Sequence, residues 1–415
     1  MAECPINSAS ETIADFIYRY GSQQQIIGNP EDIPCMDFVS TDFSIIYTPL
    51  DTVEPISLSK FTYYSIPGLY TLLDSTSMEA SGILAAHASP ALSNRGRGVI
   101  IGIIDTGIDY TNPLFRNQDG TTRILSIWDQ SLPEDKSLLP AGVPNRYNAS
   151  GATYGTEYTR EQINEALESD NPLTLVPSTD INGHGTFLAG IAAGGVLPEQ
   201  DFTGAAPECE LIIVKLKPAK QYLRDFYLVS NDADAYQEND IMMGIKYLRV
   251  EAYSQRKPLV ILLGIGSNLG SHEGTSPLNV MIQDVSRYLG MATVIAAGNE
   301  TGRGHHYMGS IPMGESSIDV EVGNAESQRG FVVELWADTA DTYSVGFVSP
   351  SGESIIRIPI IGRNETSVPF LLEPTVITVN YQLIETGAGK QLVFIRFNAP
   401  ANGIWRIRVY NTQYL

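Results

Sequence analysis

The stretch Gly98-Val99-Ile100-Ile101-Gly102-Ile103-Ile104-Asp105-Thr106-Gly107 constrains the fold more than any other. Residues 99–104 are apolar apart from Gly102, rich in β-branched side chains, and stop on an acid. Such a run, closed by Thr106-Gly107, reads as a buried strand of a parallel sheet. A carboxylate at the carboxyl end of a buried strand needs a partner, and in open α/β sheets that edge is where binding sites form. Runs at 211–216, 259–263 and 292–297 are of the same kind. Helical stretches fall around them, over 158–167 with Thr159 as N-cap, 241–253 and 277–289. Strands alternating with helices predict a doubly wound α/β domain with a mostly parallel sheet.

The flanks read differently. Residues 1 to about 90 form a small α+β unit: Ile13, Phe16, Ile17 and Tyr20 predict a helix over 11–20, and 43–47 reads as a strand. Small and turn-forming residues over 81–97 read as a linker. From about residue 316, the segments 331–336, 343–348, 375–385, 391–397 and 404–410 are strand-like with turns between them, which predicts an antiparallel β-sandwich or jelly roll. Thr386-Gly387-Ala388-Gly389-Lys390 has the look of a phosphate loop, but Gln391 stands where Ser or Thr is needed, so a hairpin turn is expected. The expected units are 1–90, 91–315 and 316–415.

The formal charge is −21, from 26 basic and 47 acidic residues, and no basic cluster occurs. Nucleic acid and anionic membrane surfaces are therefore poor partners. Cys4, Cys35 and Cys209 are odd in number and unpaired in sequence, so reduced thiols are expected; Cys209 has no charged or histidine neighbour that would make it a nucleophile. No signal-peptide pattern opens the chain and no apolar run approaches spanning length, so an intracellular or compartment-retained protein is expected.

The chemistry-bearing residues sit at strand ends and one helix start. His184 lies between Gly183 and Gly185 at the mouth of a helix of small residues ending near Gly194. Asn299 follows the 292–297 strand, in Ala296-Ala297-Gly298-Asn299. Gly264-Ile265-Gly266 ends the 259–263 strand; as a dinucleotide fingerprint it fails, because Leu269 stands in place of the third glycine. Asp109 reads as a turn residue before Asn112-Pro113, and His305-His306 as loop packing rather than a metal site. An acid, an imidazole and an amide in the order Asp105, His184, Asn299 suggest acyl transfer, with the acid orienting the base and the amide donating to an oxyanion.

Ile103-Ile104-Asp105-Thr106-Gly107, Asn182-Gly183-His184-Gly185-Thr186 and Ala296-Ala297-Gly298-Asn299 resemble the Asp, His and oxyanion-hole motifs of subtilisin-like serine peptidases, the S8 family. Gly204-Ala205-Ala206-Pro207 is similar to the segment after the histidine helix of that family. Tyr154-Gly155-Thr156-Glu157-Tyr158-Thr159-Arg160, His305-His306-Tyr307 and a β-domain inserted after the asparagine resemble the clostridial Csp-type subtilases associated with spore germination. The resemblance implies a subtilisin-like fold and peptide-bond hydrolysis, with Asp105, His184 and Asn299 catalytic and Gly264, Ile265 and Gly266 binding substrate. Many relatives carry serine where Gly264 stands. It also implies that residues 1–90 are a propeptide, that the partners are a protein or peptide substrate and the chain's own propeptide, and that the location is cytoplasmic or spore-associated. No cofactor is required by this chemistry, and calcium binding has no readable signature.

The family's Gly-Thr-Ser nucleophile motif lies well downstream of the asparagine, and the chain stops first. Gly274-Thr275-Ser276 has the letters but precedes Asn299; Ser276 reads as a helix N-cap with Pro277 at the first helical position. The chain is therefore expected to be truncated before the catalytic serine and inactive alone. The alternative is a non-catalytic pseudoprotease acting as a binding or regulatory scaffold.

Overall fold

The computed structural model describes residues 7–21, 35–72, 87, 94–133, 154–196, 202–324, 329–360 and 365–411. The N-terminal part contributes β1 (Ile13–Arg19), β2 (Met36–Phe38), β3 (Phe43–Pro49) and β4 (Leu69–Leu72). β1 pairs antiparallel with β3, Ile17 opposite Ile45, and β2 lies on the far side of β3. The helix expected over 11–20 is thus a strand. Both of its faces are buried, Ile13 and Ile17 in one apolar cluster and Ala14 and Phe16 in another. A strand covered on both sides loses the alternation that would distinguish it from a helix. Cys35 is disulfide-bonded, so the expectation of three reduced thiols fails there. Cys209 is free and buried, and burial pushes its thiol up to about 11.

The central domain follows the predicted alternation: β5 (Ile100–Asp105), β6 (Ile124–Asp129), β7 (Thr156–Thr159), α1 (Arg160–Glu168), α2 (Pro172–Leu175), α3 (His184–Ala193) and β8 (Glu210–Lys215). Then come α4 (Gln221–Tyr227), β9 (Tyr236–Gln237), α5 (Glu238–Ser254), β10 (Leu259–Leu263), β11 (Ile265–Gly266), α6 (Pro277–Val285) and β12 (Met291–Ile295). Six strands form one sheet in the order β12-β10-β5-β8-β6-β7. All neighbours are parallel except β7, which runs antiparallel to β6.

Along β5 the faces alternate. Ile100 and Ile104 share a cluster with Ile241, Ile245 and Leu248 of α5. Ile101 and Ile103 share one with Ile163 of α1 and Ala189 and Ala193 of α3. Period two therefore carries Asp105 to the α3 side of the sheet. At Gly102 a Cβ would stand 2.7 Å from Leu248 Cδ1, so the glycine lets α5 lie close. Thr159 caps α1 as expected, in a capping box with Gln162.

The C-terminal part is β13 (Ser317–Asn324), β14 (Gly330–Ala337), β15 (Tyr343–Val348), β16 (Ser354–Ile358), β17 (Glu365–Pro369), β18 (Val376–Glu385), β19 (Lys390–Asn398) and β20 (Gly403–Asn411). Two antiparallel sheets, β13-β20-β15-β16 and β14-β19-β18-β17, share one apolar core around Phe347, Phe397 and Trp405. Residues 386–389 turn between β18 and β19, as the failed phosphate-loop pattern predicts. The three strands that the sequence pattern passes over, β13, β16 and β17, are sheet-edge strands with half-exposed, polar residues.

One apolar cluster spans all three parts. Phe61, Tyr63 and Tyr64 of the N-terminal part meet Tyr222 and Phe226 of α4 and Phe394 of β19. Phe226 stacks on Phe394 with centroids 5.4 Å apart, and Glu334 accepts from the Tyr63 hydroxyl at 2.7 Å and the Gly270 amide at 2.8 Å. Among the described residues no helix is long and apolar enough to cross a membrane.

Candidate active site

β5 ends on Asp105 with its carboxylate buried, and Oδ1 accepts the Thr106 amide at 2.8 Å. The same oxygen lies 2.7 Å from His184 Nδ1. The imidazole is the first side chain of α3, whose N-cap is Gly183 in the left-handed region at φ +86°. α3 can approach so closely because Gly185 has no side chain: a Cβ there would stand 2.2 Å from the Gly107 carbonyl oxygen. The small residues of Gly107 and Gly185 thus set the distance between acid and imidazole.

Asp180 ties the two motifs together. Its Oδ1 accepts from the Thr106 hydroxyl at 2.7 Å and the Gly183 amide at 2.9 Å. Oδ2 accepts from the Thr186 amide at 2.8 Å and the Thr186 hydroxyl at 2.6 Å. Thr106 Oγ1 in turn accepts the Gly185 amide at 2.9 Å. Burial would push Asp180 up, but the hydrogen bonds from Thr186, Thr106 and Gly183 outweigh it and hold the carboxyl below its ordinary value. Asp180 is a functional residue that sequence reasoning misses. The signal is the repeat of Thr one residue after Asp105 and two after His184, each presenting a hydroxyl to one acid.

Gly264 lies directly against the pair. Its Cβ position would be 3.2 Å from both Asp105 Oδ2 and His184 Cε1, and 2.1 Å from Leu188 Cδ1. Asp105 Oδ2 is buried and has no hydrogen-bond partner among the described residues. Ile265 and Gly266 form β11, which pairs antiparallel with β4: Ile265 is opposite Leu72 and Gly266 opposite Thr71. The other edge of β4 pairs with β9, Leu69 opposite Gln237 and Tyr70 opposite Tyr236. A strand of the N-terminal part therefore fills the slot between two edges of the central domain, beside the Asp105–His184 pair.

Asn299 stands apart. It is exposed, beyond the end of β12, on the same carboxyl edge of the sheet. β10 separates β12 from β5, so two strand spacings, about 10 Å, lie between them. Ser276 is the N-cap of α6, its hydroxyl accepting the Asn279 amide at 3.2 Å, as its sequence context predicts. Asp109 accepts from the Thr111 amide at 3.0 Å in the expected turn. His305 bonds Glu300, and the His306 ring meets His272 edge-on with centroids 5.2 Å apart.

An imidazole with one nitrogen on a buried carboxylate is fixed in ring orientation and, when that nitrogen carries the hydrogen, presents the other as a base. A two-edged slot for an extended peptide beside such a base is suited to acting on a backbone carbonyl.

The peptidase S8 model, described as the subtilase family, matches residues 96–353. Over 142 residues the chain is 28% identical to the Subtilisin-like protease SBT3.6 of Arabidopsis thaliana, covering 33% of this chain and 17% of that protein. Over 265 residues it is 24% identical to the PII-type proteinase of Lacticaseibacillus paracasei, covering 63% of this chain and 12% of that protein. The solved structure of the CspB protease of Clostridium perfringens is similar with a TM-score of 0.65 at 27% identity, covering 80% of this chain and 64% of that one. The chain thus spans less than two thirds of the length of each of these proteins. A family match of that extent, running through the strand that ends on Asp105 and the helix that opens on His184, places the chain in the subtilase family.

Proposed function

We propose that the chain is the substrate-binding and acid–base part of a serine endopeptidase whose own N-terminal unit occupies its substrate groove. The observation that carries this reading is the 2.7 Å Asp105–His184 contact at the mouth of the slot filled by β4. His184 serves as general base toward a serine hydroxyl and then as general acid to the leaving amine. Asp105 holds the tautomer and stabilises the imidazolium, and Asn299 donates its amide to the tetrahedral oxyanion. Gly264, Ile265 and Gly266 pair with the acyl-side residues of the substrate, in the antiparallel sense in which β11 pairs with β4.

In this reading residues 1–90 are a propeptide and 316–415 belong to an inserted jelly roll. The serine is not that of Gly274-Thr275-Ser276, because the Ser276 hydroxyl caps α6. The 415 residues alone are then expected not to hydrolyse peptides, and cleavage needs a serine brought to His184 from outside them. Spore germination, toward which the Csp-type resemblance points, and a cytoplasmic or spore-associated site of action belong to the same proposal.

A fluorophosphonate probe on the full-length protein tests it. Covalent labelling that disappears in His184→Ala supports the enzyme. A folded protein that stays unlabelled is instead a scaffold that binds without cleaving, a reading favoured by a groove already filled from within the chain.

A further inference from the structure

We propose that Asp129 and Lys215 are positioning residues: their ion pair fixes the seat of Gly107 and so the reach from Asp105 to His184, an assignment that rests on the reading of Asp105 and His184 as the acid–base pair.

Three strands end in one row. Asp105 of β5 is in register with Lys215 of β8, and Lys215 with Asp129 of β6. Two residues back, Ile103, Ile213 and Ile127 share the apolar cluster on the α3 side of the sheet. Period two therefore brings acid, lysine and acid to the same face at the same carboxyl edge, with about 5 Å from strand to strand. Backbone bonds pin the row. The Leu216 amide donates to the Asp105 carbonyl at 2.8 Å, and the Gln130 amide to the Lys215 carbonyl at 2.9 Å.

Asp129 takes no part in the proposed reaction, yet it is wholly buried. Such a carboxylate is costly without partners, and here the partners lead back to the site. Oδ1 accepts the Ser131 amide at 2.9 Å. Oδ2 accepts the Ser178 hydroxyl at 2.7 Å and lies 3.3 Å from Lys215 Nζ. Ser178 is followed by Thr179, whose carbonyl oxygen faces Gly107, and by Asp180, which bonds Thr106, Gly183 and Thr186. On the other side the Lys215 stem lies against the same glycine. A Cβ at Gly107 would stand 3.1 Å from both the Thr179 carbonyl oxygen and Lys215 Cδ.

Gly107 is thus seated between two groups that Asp129 holds. Its carbonyl oxygen is the atom on which Gly185 closes, so its seat sets how far α3 advances on Asp105. Removing the carboxylate releases Ser178 and the lysine head together, and both walls loosen. Removing the ammonium alone keeps the apolar stem but strands a buried charge.

Histidine-selective ¹⁵N NMR on the whole 415-residue chain tests this, since the chain has only five histidines. The Nδ1 proton of His184 is the one whose resonance moves in Asp105→Asn. In Asp129→Ala and in Lys215→Ala it is expected to exchange with water about 10-fold faster. The double variant Asp129→Asn with Lys215→Met keeps an oxygen acceptor and the apolar stem without either charge, and should return the rate to within about twofold of wild type. Phe347→Leu, in the C-terminal sandwich, should lower the melting temperature and leave the rate unchanged. Where Asp129→Ala does not fold, Lys215→Ala, at a side chain 16% exposed, decides alone. A wild-type rate in the folded single variants, or an equal acceleration in Phe347→Leu, overturns the assignment. No histidine resonance responding to Asp105→Asn overturns instead the reading of the acid–base pair beneath it.

Discussion

Asp180 is the residue on which the site's geometry turns, although it does no chemistry in the proposed reaction. One carboxylate accepts from Thr106 beside the acid and from Gly183 and Thr186 on either side of the imidazole. Removing it frees both motifs at once. Asp180→Ala is expected to cost about 3 kcal/mol of stability, read from the urea midpoint, and to weaken the Asp105–His184 bond, read from the Nδ1 proton resonance of His184. A variant that melts like the wild type with that resonance unshifted would remove Asp180 from this role. The carboxyl's lowered folded-state pKa sets a pH dependence. Its stabilisation is complete above the unfolded value, about 4, and is lost as pH falls through the lower folded value. The stability gap between wild type and Asp180→Asn should therefore be widest near pH 6 and shrink below about pH 4, as paired denaturant titrations would show. For Asn299→Ala, turnover by the labelled full-length protein is expected to fall about 10²–10³-fold with substrate binding little changed. Unchanged turnover would take Asn299 out of the site. Asp105, His184 and Gly264 are legible in sequence because each breaks a pattern: an acid after a buried strand, a histidine between glycines, a glycine at a strand end. Asp180 breaks none, since an exposed-looking acid before a glycine turn is ordinary, and its role appears only when Thr106 and Thr186 are brought to it in space.

At the scale of elements, the docking of α3 on the end of β5 does most to create the site. The tolerance is one side chain's width, because Gly185 meets the Gly107 carbonyl where any Cβ would overlap. Gly185→Ala must push backbone from backbone, which no rotamer change relieves. A loss of about 3 kcal/mol is expected, with the imidazole displaced from Asp105. A thermal melt within a degree or two of wild type would contradict it. The parallel strands β5, β8, β10 and β12 were all legible as apolar runs: covered faces leave little room for polar residues in β5, β8 and β10, and β12 keeps its apolar run although it is a half-exposed edge strand. The same physics misleads at β1, where Ile13, Phe16 and Ile17 sit at spacings that suit a helix and a doubly buried strand alike. The edge strands β13, β16 and β17 failed for the opposite reason: half exposure admits polar side chains and erases the signal. The place of β4 in the slot could not be read either, because pairing between segments nearly 200 residues apart leaves no local trace.

Across the whole molecule, polar as well as apolar contacts bind the N-terminal part to the central domain. Lys220 Nζ donates to Asp15 Oδ1 at 2.7 Å, and to the Ser8 and Ile13 carbonyls at 2.6 Å and 3.0 Å. Asp15 Oδ2 accepts from Gln237 Nε2 at 2.8 Å, in the strand that flanks β4. Lysine and aspartate are each about 1% exposed. Breaking such a pair strands a buried charge, so Asp15→Ala is expected to lose about 3–5 kcal/mol. Replacing both partners, Asp15→Leu with Lys220→Met, should recover most of that loss. A double variant no more stable than the single would show that packing around β1, and not the charge pair, holds this junction. The apolar cluster shared by Phe61, Phe226 and Phe394 carries a consequence for how the chain is made. About 330 residues separate the first of these side chains from the last. At a synthesis rate of about 5–20 residues per second, Phe61 emerges from the ribosome about 20–70 s before Phe394 exists to cover it. For that interval the nascent chain carries an aromatic surface whose partner has not been translated.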